Sequence, residues 1–88
     1  MKVVRKVKVK NALGLHTRPA THIVQLLQRC KSDVRFIYKQ DSINAKSILS
    51  ILTLAAKKGT LLTVAVEGED AEEVMRKLSL AFETGFGE

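Results

Sequence analysis

The sequence predicts an α+β fold in which three helices cover one face of a four-stranded sheet. Three observations carry that prediction. Three short segments alternate apolar and polar residues with the period of a half-buried strand, and a fourth follows the second across a tight turn. Three other segments repeat apolar residues at helical spacing, and the two kinds interleave as β-α-β-β-α-β-α with no linker, repeat or low-complexity stretch. Each helical segment has one apolar stripe, so all three turn that stripe onto the same sheet face. Strand order is left open by these signals.

The elements follow in chain order. Residues 2–10 (KVVRKVKVK) alternate valine with basic residues, most cleanly from Lys6 to Lys10, and read as a first strand. Asn11 to Gly14 break the pattern as a loop. Ala20, Ile23, Val24, Leu27 and Cys30 line one face of a helix that begins at Thr17, and Pro19 is tolerated in its first turn. Val34, Phe36 and Tyr38 alternate as a second strand, with Gln40 to Asn44 as a short third. Ile48, Ile51, Leu52 and Ala55 mark a shorter helix ended by Lys57-Lys58-Gly59. Leu62, Val64 and Val66 form the fourth strand. Asp70 with Glu73 makes a capping-box signature before the stripe Ala71, Val74, Met75, Leu78, Ala81 and Phe82, which Gly85 closes.

Composition bounds what such a chain does. Its 88 residues make one domain, 1–88, which buries about 60–65% of its unfolded surface and leaves little room for an enclosed active-site cavity. Chemistry belongs on the surface. The single cysteine, Cys30, closes no intramolecular disulfide and fits the core-facing stripe as packing. No apolar run approaches the ~18 residues of a membrane span, and valine interleaved with lysine at the start is not a signal peptide. These features point to a cytoplasmic protein, monomeric and not inserted in a membrane. The net charge of +6 fits nucleic acid, an anionic surface or an acidic protein partner. Aromatics form only 5% of the chain, with no strand signature for base stacking, which argues against nucleic acid. No cluster of His, Cys, Asp or Glu has metal-ligand spacing, and no cofactor is implied.

The informative stretch is Gly14-Leu15-His16-Thr17-Arg18-Pro19-Ala20, where a histidine ends a loop as a helix begins. The first amides of a helix have no internal partner and the dipole there is positive, so this end binds phosphate. That suits a ring that attacks as a neutral nucleophile and then holds a phosphoryl dianion. Arg18 adds a planar guanidinium able to meet phosphate oxygens two at a time. Gly14 permits a bend that keeps the ring exposed, and Pro19 presets the first turn. On position alone, His16 as an ordinary capping or surface histidine, with Arg18 as a solvated charge, stands level with this reading.

The run from Asn11 to Ala20 resembles the active-site signature of the HPr family, the histidine-containing phosphocarriers of the bacterial phosphoenolpyruvate-dependent sugar phosphotransferase system. A second family motif is matched by Asn44-Ala45-Lys46-Ser47-Ile48-Leu49 with Leu54 and Lys58-Gly59. Element order and the 88-residue length match as well, so the resemblance spans the chain. It implies an open-faced β-sandwich with an antiparallel sheet. It also implies that His16 takes phosphate from enzyme I on Nδ1 and passes it to the A domains of sugar permeases, with Arg18 stabilising the transferring group. The chain would then be a stoichiometric carrier, not an enzyme. One relative carries glutamine at the position of His16 and serves only as a regulator; histidine here favours carrier competence.

Ser47 stands at the N-cap of the second helix. Position alone reads it equally as a cap, worth about 1 kcal/mol, or as a modified site. The resemblance makes it a regulatory serine for an HPr kinase/phosphorylase, and a phosphate there would alter recognition without unfolding the helix. Many kinase-regulated members have glycine where this chain has Ser50, which weakens that reading. The resemblance places partner contacts at Leu15, Thr17, Ile48, Leu49 and Leu52, with Leu15 and Leu49 as the apolar docking candidates. His22 lies off the stripe and reads as a solvated histidine. Glu67, Glu69, Asp70, Glu72 and Glu73 form a solvated acidic patch that favours the start of the last helix. The alternative reading keeps the fold but makes the chain a regulatory paralogue, nitrogen-related or otherwise specialised, that binds proteins according to its phosphorylation state without sugar transport.

Overall fold

The computed structural model describes residues 1–88. Strand β1 is Lys2–Lys8 and helix α1 Thr17–Leu27; β2 is Asp33–Tyr38, β3 Asp41–Asn44, α2 Ile48–Leu54, β4 Leu61–Glu67 and α3 Ala71–Glu83, followed by a single 3₁₀ turn at Gly85–Gly87. The strands form one antiparallel sheet in the order β1-β4-β2-β3. Lys39, at φ 55, makes the tight turn between β2 and β3. The sheet order, which alternation alone left open, places the last strand to be made at the centre, between β1 and β2.

Strand periodicity sorts the two faces. Val7, Val34, Phe36, Leu62, Val64 and Val66 point to one side and meet Ala20, Ile23 and Leu27 of α1, Ile51 and Leu54 of α2, and Val74, Met75, Leu78 and Phe82 of α3 in one buried cluster. Each large side chain fully buried there contributes roughly 1.5–3 kcal/mol. The other side of the sheet has no cover. Lys6 and Lys8 lie in the open there, and so do Val4 and Leu61.

Three boundaries differ from the sequence-based expectation. The apolar stripe reaches Cys30, but α1 stops at Leu27 and Cys30 reaches the core margin from a turn, its Sγ 3.4 Å from the Ser32 carbonyl. Helix α2 ends at Ala55, which adopts the left-handed conformation at φ 52, not at Lys57-Lys58-Gly59. The early exit frees the carbonyl of buried Ala56, which accepts the Leu15 N–H at 2.9 Å. The capping box at Asp70 and Glu73 does not form. Asp70 occupies the cap position, yet its carboxylate accepts the Lys31 amide at 2.8 Å and the Ser32 hydroxyl. Glu73 instead pairs with Arg76 one turn on, at 2.7 Å. A pair of donors far away in sequence outcompetes the local amide.

Candidate functional site

The site is built where β1 gives way to α1. Val9 is held by backbone bonds to Gly59 and Thr60, at 2.7 and 2.9 Å, and the chain then turns through Asn11 to Gly14, whose N–H donates to the Asn11 carbonyl at 3.0 Å. Gly14 sits at φ 69, a conformation that costs an L side chain roughly 1–2 kcal/mol. The reversal there sends Leu15 inward and leaves Leu13 outside.

Next comes His16, with extended backbone at φ −80 and ψ −170, as the N-cap of α1. Its side chain makes no capping bond, so the ring is not spent on the helix. It is about one-third exposed, at 34%. The Ala20 amide takes the His16 carbonyl at 3.0 Å, and Pro19 has no N–H. The amides of Thr17 and Arg18, the first two of the helix, therefore remain without a partner in the chain. Thr17 and Arg18 are themselves exposed.

The ring looks over a shallow basin whose wall brings in Lys10, Arg18 and Lys58 as cations, with Asn11, Leu13, Gly85 and Glu88. Glu88 is the one anion. Its carboxylate lies 3.3 Å from His16 Nε2 and 3.9 Å from Arg18 Nε. Asn11, buried, donates through Nδ2 to the Gly85 carbonyl at 2.8 Å and to the Glu88 carboxylate, while its own Oδ1 has no partner. Both donations of the Asn11 amide thus go to the segment Gly85–Glu88.

Of the expected contact residues, Thr17 and Leu49 are exposed, Leu49 at 75%, while Ile48 and Leu52 are half-buried against the core. Leu15 is a correction. It is buried in the core cluster, because the turn at Gly14 and its bond to Ala56 carry it inside, and so it offers no docking surface. The exposed leucine of this loop is Leu13, at 78%. Ser47 caps α2 as a serine should, its Oγ accepting the Ser50 amide at 3.2 Å. Helices α1 and α2 pack side by side, with Val24 and Ile48 lining the furrow between them. Sequence reasoning missed Lys10, Leu13, Lys58 and Glu88. The alternation of in and out across Gly14 would have found Leu13; nothing local points to Glu88.

A solvent-facing imidazole at a helix mouth, ringed by cations on an open-faced α+β sandwich, is the architecture of the small phosphocarrier domains. The comparisons agree with that class. Residues 3–84 match the family described as PTS HPr component phosphorylation site. The chain is 46% identical over 80 residues to the phosphocarrier protein HPr of Chlamydia pneumoniae, covering 91% of this chain and 74% of that one. It is 40% identical over 77 residues to the HPr-like protein Crh of Bacillus subtilis, covering 88% and 91%. The crystal structure of HPr-C-His from Thermoanaerobacter tengcongensis superposes with a TM-score of 0.93 at 34% identity, covering 98% of this chain and 97% of the other. This chain belongs to the HPr family of the phosphotransferase system.

Proposed function

We propose that the chain carries a phosphoryl group on His16, received from phospho-enzyme I and donated to the A domains of sugar permeases. In the transfer, the Nδ1 lone pair attacks phosphorus as the bond to the donor nitrogen breaks, and the donor keeps that electron pair. The ring becomes positive while the phosphoryl oxygens meet the free Thr17 and Arg18 amides and the Arg18 guanidinium. Return of the group to an acceptor histidine reverses each change, so the chain is consumed and regenerated one phosphoryl at a time and works without a cofactor. The observation that supports this reading is the His16 ring, about one-third exposed at the N-terminus of α1 and making no capping bond to the helix.

Ser47 is the second, regulatory site in this reading, as the substrate of an HPr kinase/phosphorylase. A phosphate on its Oγ would lie beside exposed Leu49 and change which partner docks there. The setting is the cytoplasm, with the chain a monomer that binds neither nucleic acid nor membrane.

The test is incubation with enzyme I and phosphoenolpyruvate, followed by mass spectrometry. One acid-labile phosphate is expected on the wild type and none on His16→Ala; phosphate on that variant refutes the assignment. The likeness to Crh favours one second reading, a regulator whose phosphorylation state selects its protein targets. A chain that accepts phosphate from enzyme I but passes none to any permease A domain is that regulator.

A further inference from the structure

We propose that the open edge of β1 is a docking strip for an acidic, extended segment of a partner protein, which adds to the sheet as a fifth strand. The inference goes beyond the carrier reading and uses no atom of His16.

The backbone leaves this edge unfilled. Strands β1 and β3 are the outer strands of the sheet, and β1 is the longer, with seven residues against four. Bonds at its two ends fix which residues face β4. The Gly68 N–H donates to the Met1 carbonyl at 2.8 Å, and the Val9 N–H donates to the Thr60 carbonyl at 2.9 Å. In an antiparallel ladder successive residues turn their N–H and C=O groups to opposite sides. Val3, Arg5 and Val7 therefore face β4, as Met1 and Val9 do, while Lys2, Val4, Lys6 and Lys8 turn both groups to the open edge. All four are exposed. Arg5 Nη1 donates to Ser79 Oγ at 3.0 Å, which ties the strand to α3 and holds the edge in shape.

Charge favours an acidic occupant. The chain has no acid before Asp33, so its positive excess gathers in the first third. Lys2, Arg5, Lys6 and Lys8 stand on β1, and none of them makes an ion pair. Across the ladder only Lys2 meets an acid, Glu67; Lys6 stands opposite Thr63 and Lys8 opposite Leu61. On the α3 side Glu83 borders the hollow beside Lys6 and Lys8, while Glu72 and Glu73 border that beside Lys2 and Arg5, where Arg76 holds Glu73. One lysine is enough to blunt an edge against its own kind. Four unpaired cations in seven residues go further and match an anionic strand. A row of alternating amides and carbonyls is answered by another backbone, not by phosphates, which offer acceptors alone.

The pattern of the occupant follows. Alternate residues of a strand lie about 6.8 Å apart on one face. Carboxylates opposite Lys8, Lys6 and Lys2, with an apolar residue opposite Val4, complete the pairs on the bare face. Opposite Val7 the partner's side chain turns to the helix side, toward the hollow lined by Val7, Ser79 and Phe82, and is apolar as well.

The experiment is an NMR titration of the ¹⁵N-labelled full chain with a capped heptapeptide, Glu-Val-Glu-Thr-Val-Thr-Glu, written to run antiparallel to β1. The amides of Lys2, Val4, Lys6 and Lys8 should shift to saturation and gain about five-fold or more protection from hydrogen exchange. Affinity should fall about ten-fold from about 0.05 to about 0.5 M salt. Joint replacement Lys6→Glu and Lys8→Glu, at exposed positions, should weaken binding by about ten-fold or more. The same peptide N-methylated at its second Glu and second Val keeps its charge but loses two amides that donate to β1, and it should not bind. Equal binding of the methylated peptide overturns the proposal, because charge alone would then account for the contact. Shifts centred on Leu13 to Arg18, no saturable shift at about 1 mM peptide, or a single-stranded DNA that protects the same four amides overturns it too.

Discussion

Gly14 and Ala56 touch backbone to backbone: a Cβ at Gly14 would stand 2.2 Å from the Ala56 carbonyl oxygen, the same atom that accepts the Leu15 N–H at 2.9 Å. The loop that presents His16 is thereby fastened to the segment that leaves α2. Nothing bulkier than hydrogen fits at the joint.

Replacing Gly14 by alanine should accordingly cost about 3 kcal/mol, from left-handed strain plus displacement of a backbone carbonyl that cannot step aside. In thermal unfolding that is a loss of more than about 10 °C. Gly59 is the control. It also has positive φ, at 89, but no atom lies within 4 Å of a Cβ there. Gly59→Ala should cost only about 1 kcal/mol. Equal losses at the two glycines would refute the close-contact account.

Arg18 is 81% exposed and held only by a 3.9 Å approach to Glu88, so the fold owes it little. Arg18→Ala should leave unfolding stability within about 0.5 kcal/mol. Phosphoryl acceptance from enzyme I should slow about 10- to 100-fold, the loss of a charge-assisted bond to the transferring group. Arg18→Lys should fall between, because an ammonium supplies charge but not two parallel donors. Rapid-quench kinetics decides it, and an alanine variant as fast as the wild type removes Arg18 from the mechanism.

Ser47 caps α2 through its Oγ, and α2 has only seven residues, so the cap is a large share of its support. Ser47→Ala should cost about 1 kcal/mol in urea unfolding and speed hydrogen exchange at the Ser50 amide. Ser47→Asp should be close to neutral, since aspartate caps as well as serine does. An aspartate variant as unstable as the alanine one would show that the site cannot hold a negative charge.

Acid should loosen the start of α3 first. The Lys31 amide and the Ser32 hydroxyl hold the Asp70 carboxyl below the usual carboxylate range, and Arg76 does the same for Glu73. A carboxyl whose native value is depressed stabilises the fold at any pH above its unfolded value, and that contribution is lost as pH falls through the native one. Unfolding midpoints should therefore decline below about pH 4. Asp70→Asn should be weaker than the wild type at neutral pH yet flatter across the acid range. Parallel curves for the two proteins would discount Asp70 as a source of the acid sensitivity.

Much of this was legible in the chain itself. Alternation at Val34, Phe36, Leu62, Val64 and Val66 gave the inner face of the sheet, and the stripe from Ala71 to Phe82 gave α3. The place of His16 at the mouth of α1 was legible because a loop and a first-turn proline flank it. What escaped was non-local. Asp70 looks like a cap until Lys31 and Ser32 are known to lie across from it. Leu15 looks like a surface leucine until Ala56 claims its amide. Glu88 meets His16 only after the whole chain has folded between them, and no spacing rule reaches that far.

The outer edge of the sheet has a consequence for how the molecule behaves in a crowd. Strand β1 is an outer edge with its hydrogen-bonding rim unfilled, a ready invitation for another copy to add on. Lys2, Lys6 and Lys8 of that strand stand exposed on the bare face beside the rim and carry like charge. Two such edges brought together would set like charge against like charge, which opposes the pairing of one edge with another. Neutralising those side chains should therefore favour edge-to-edge association.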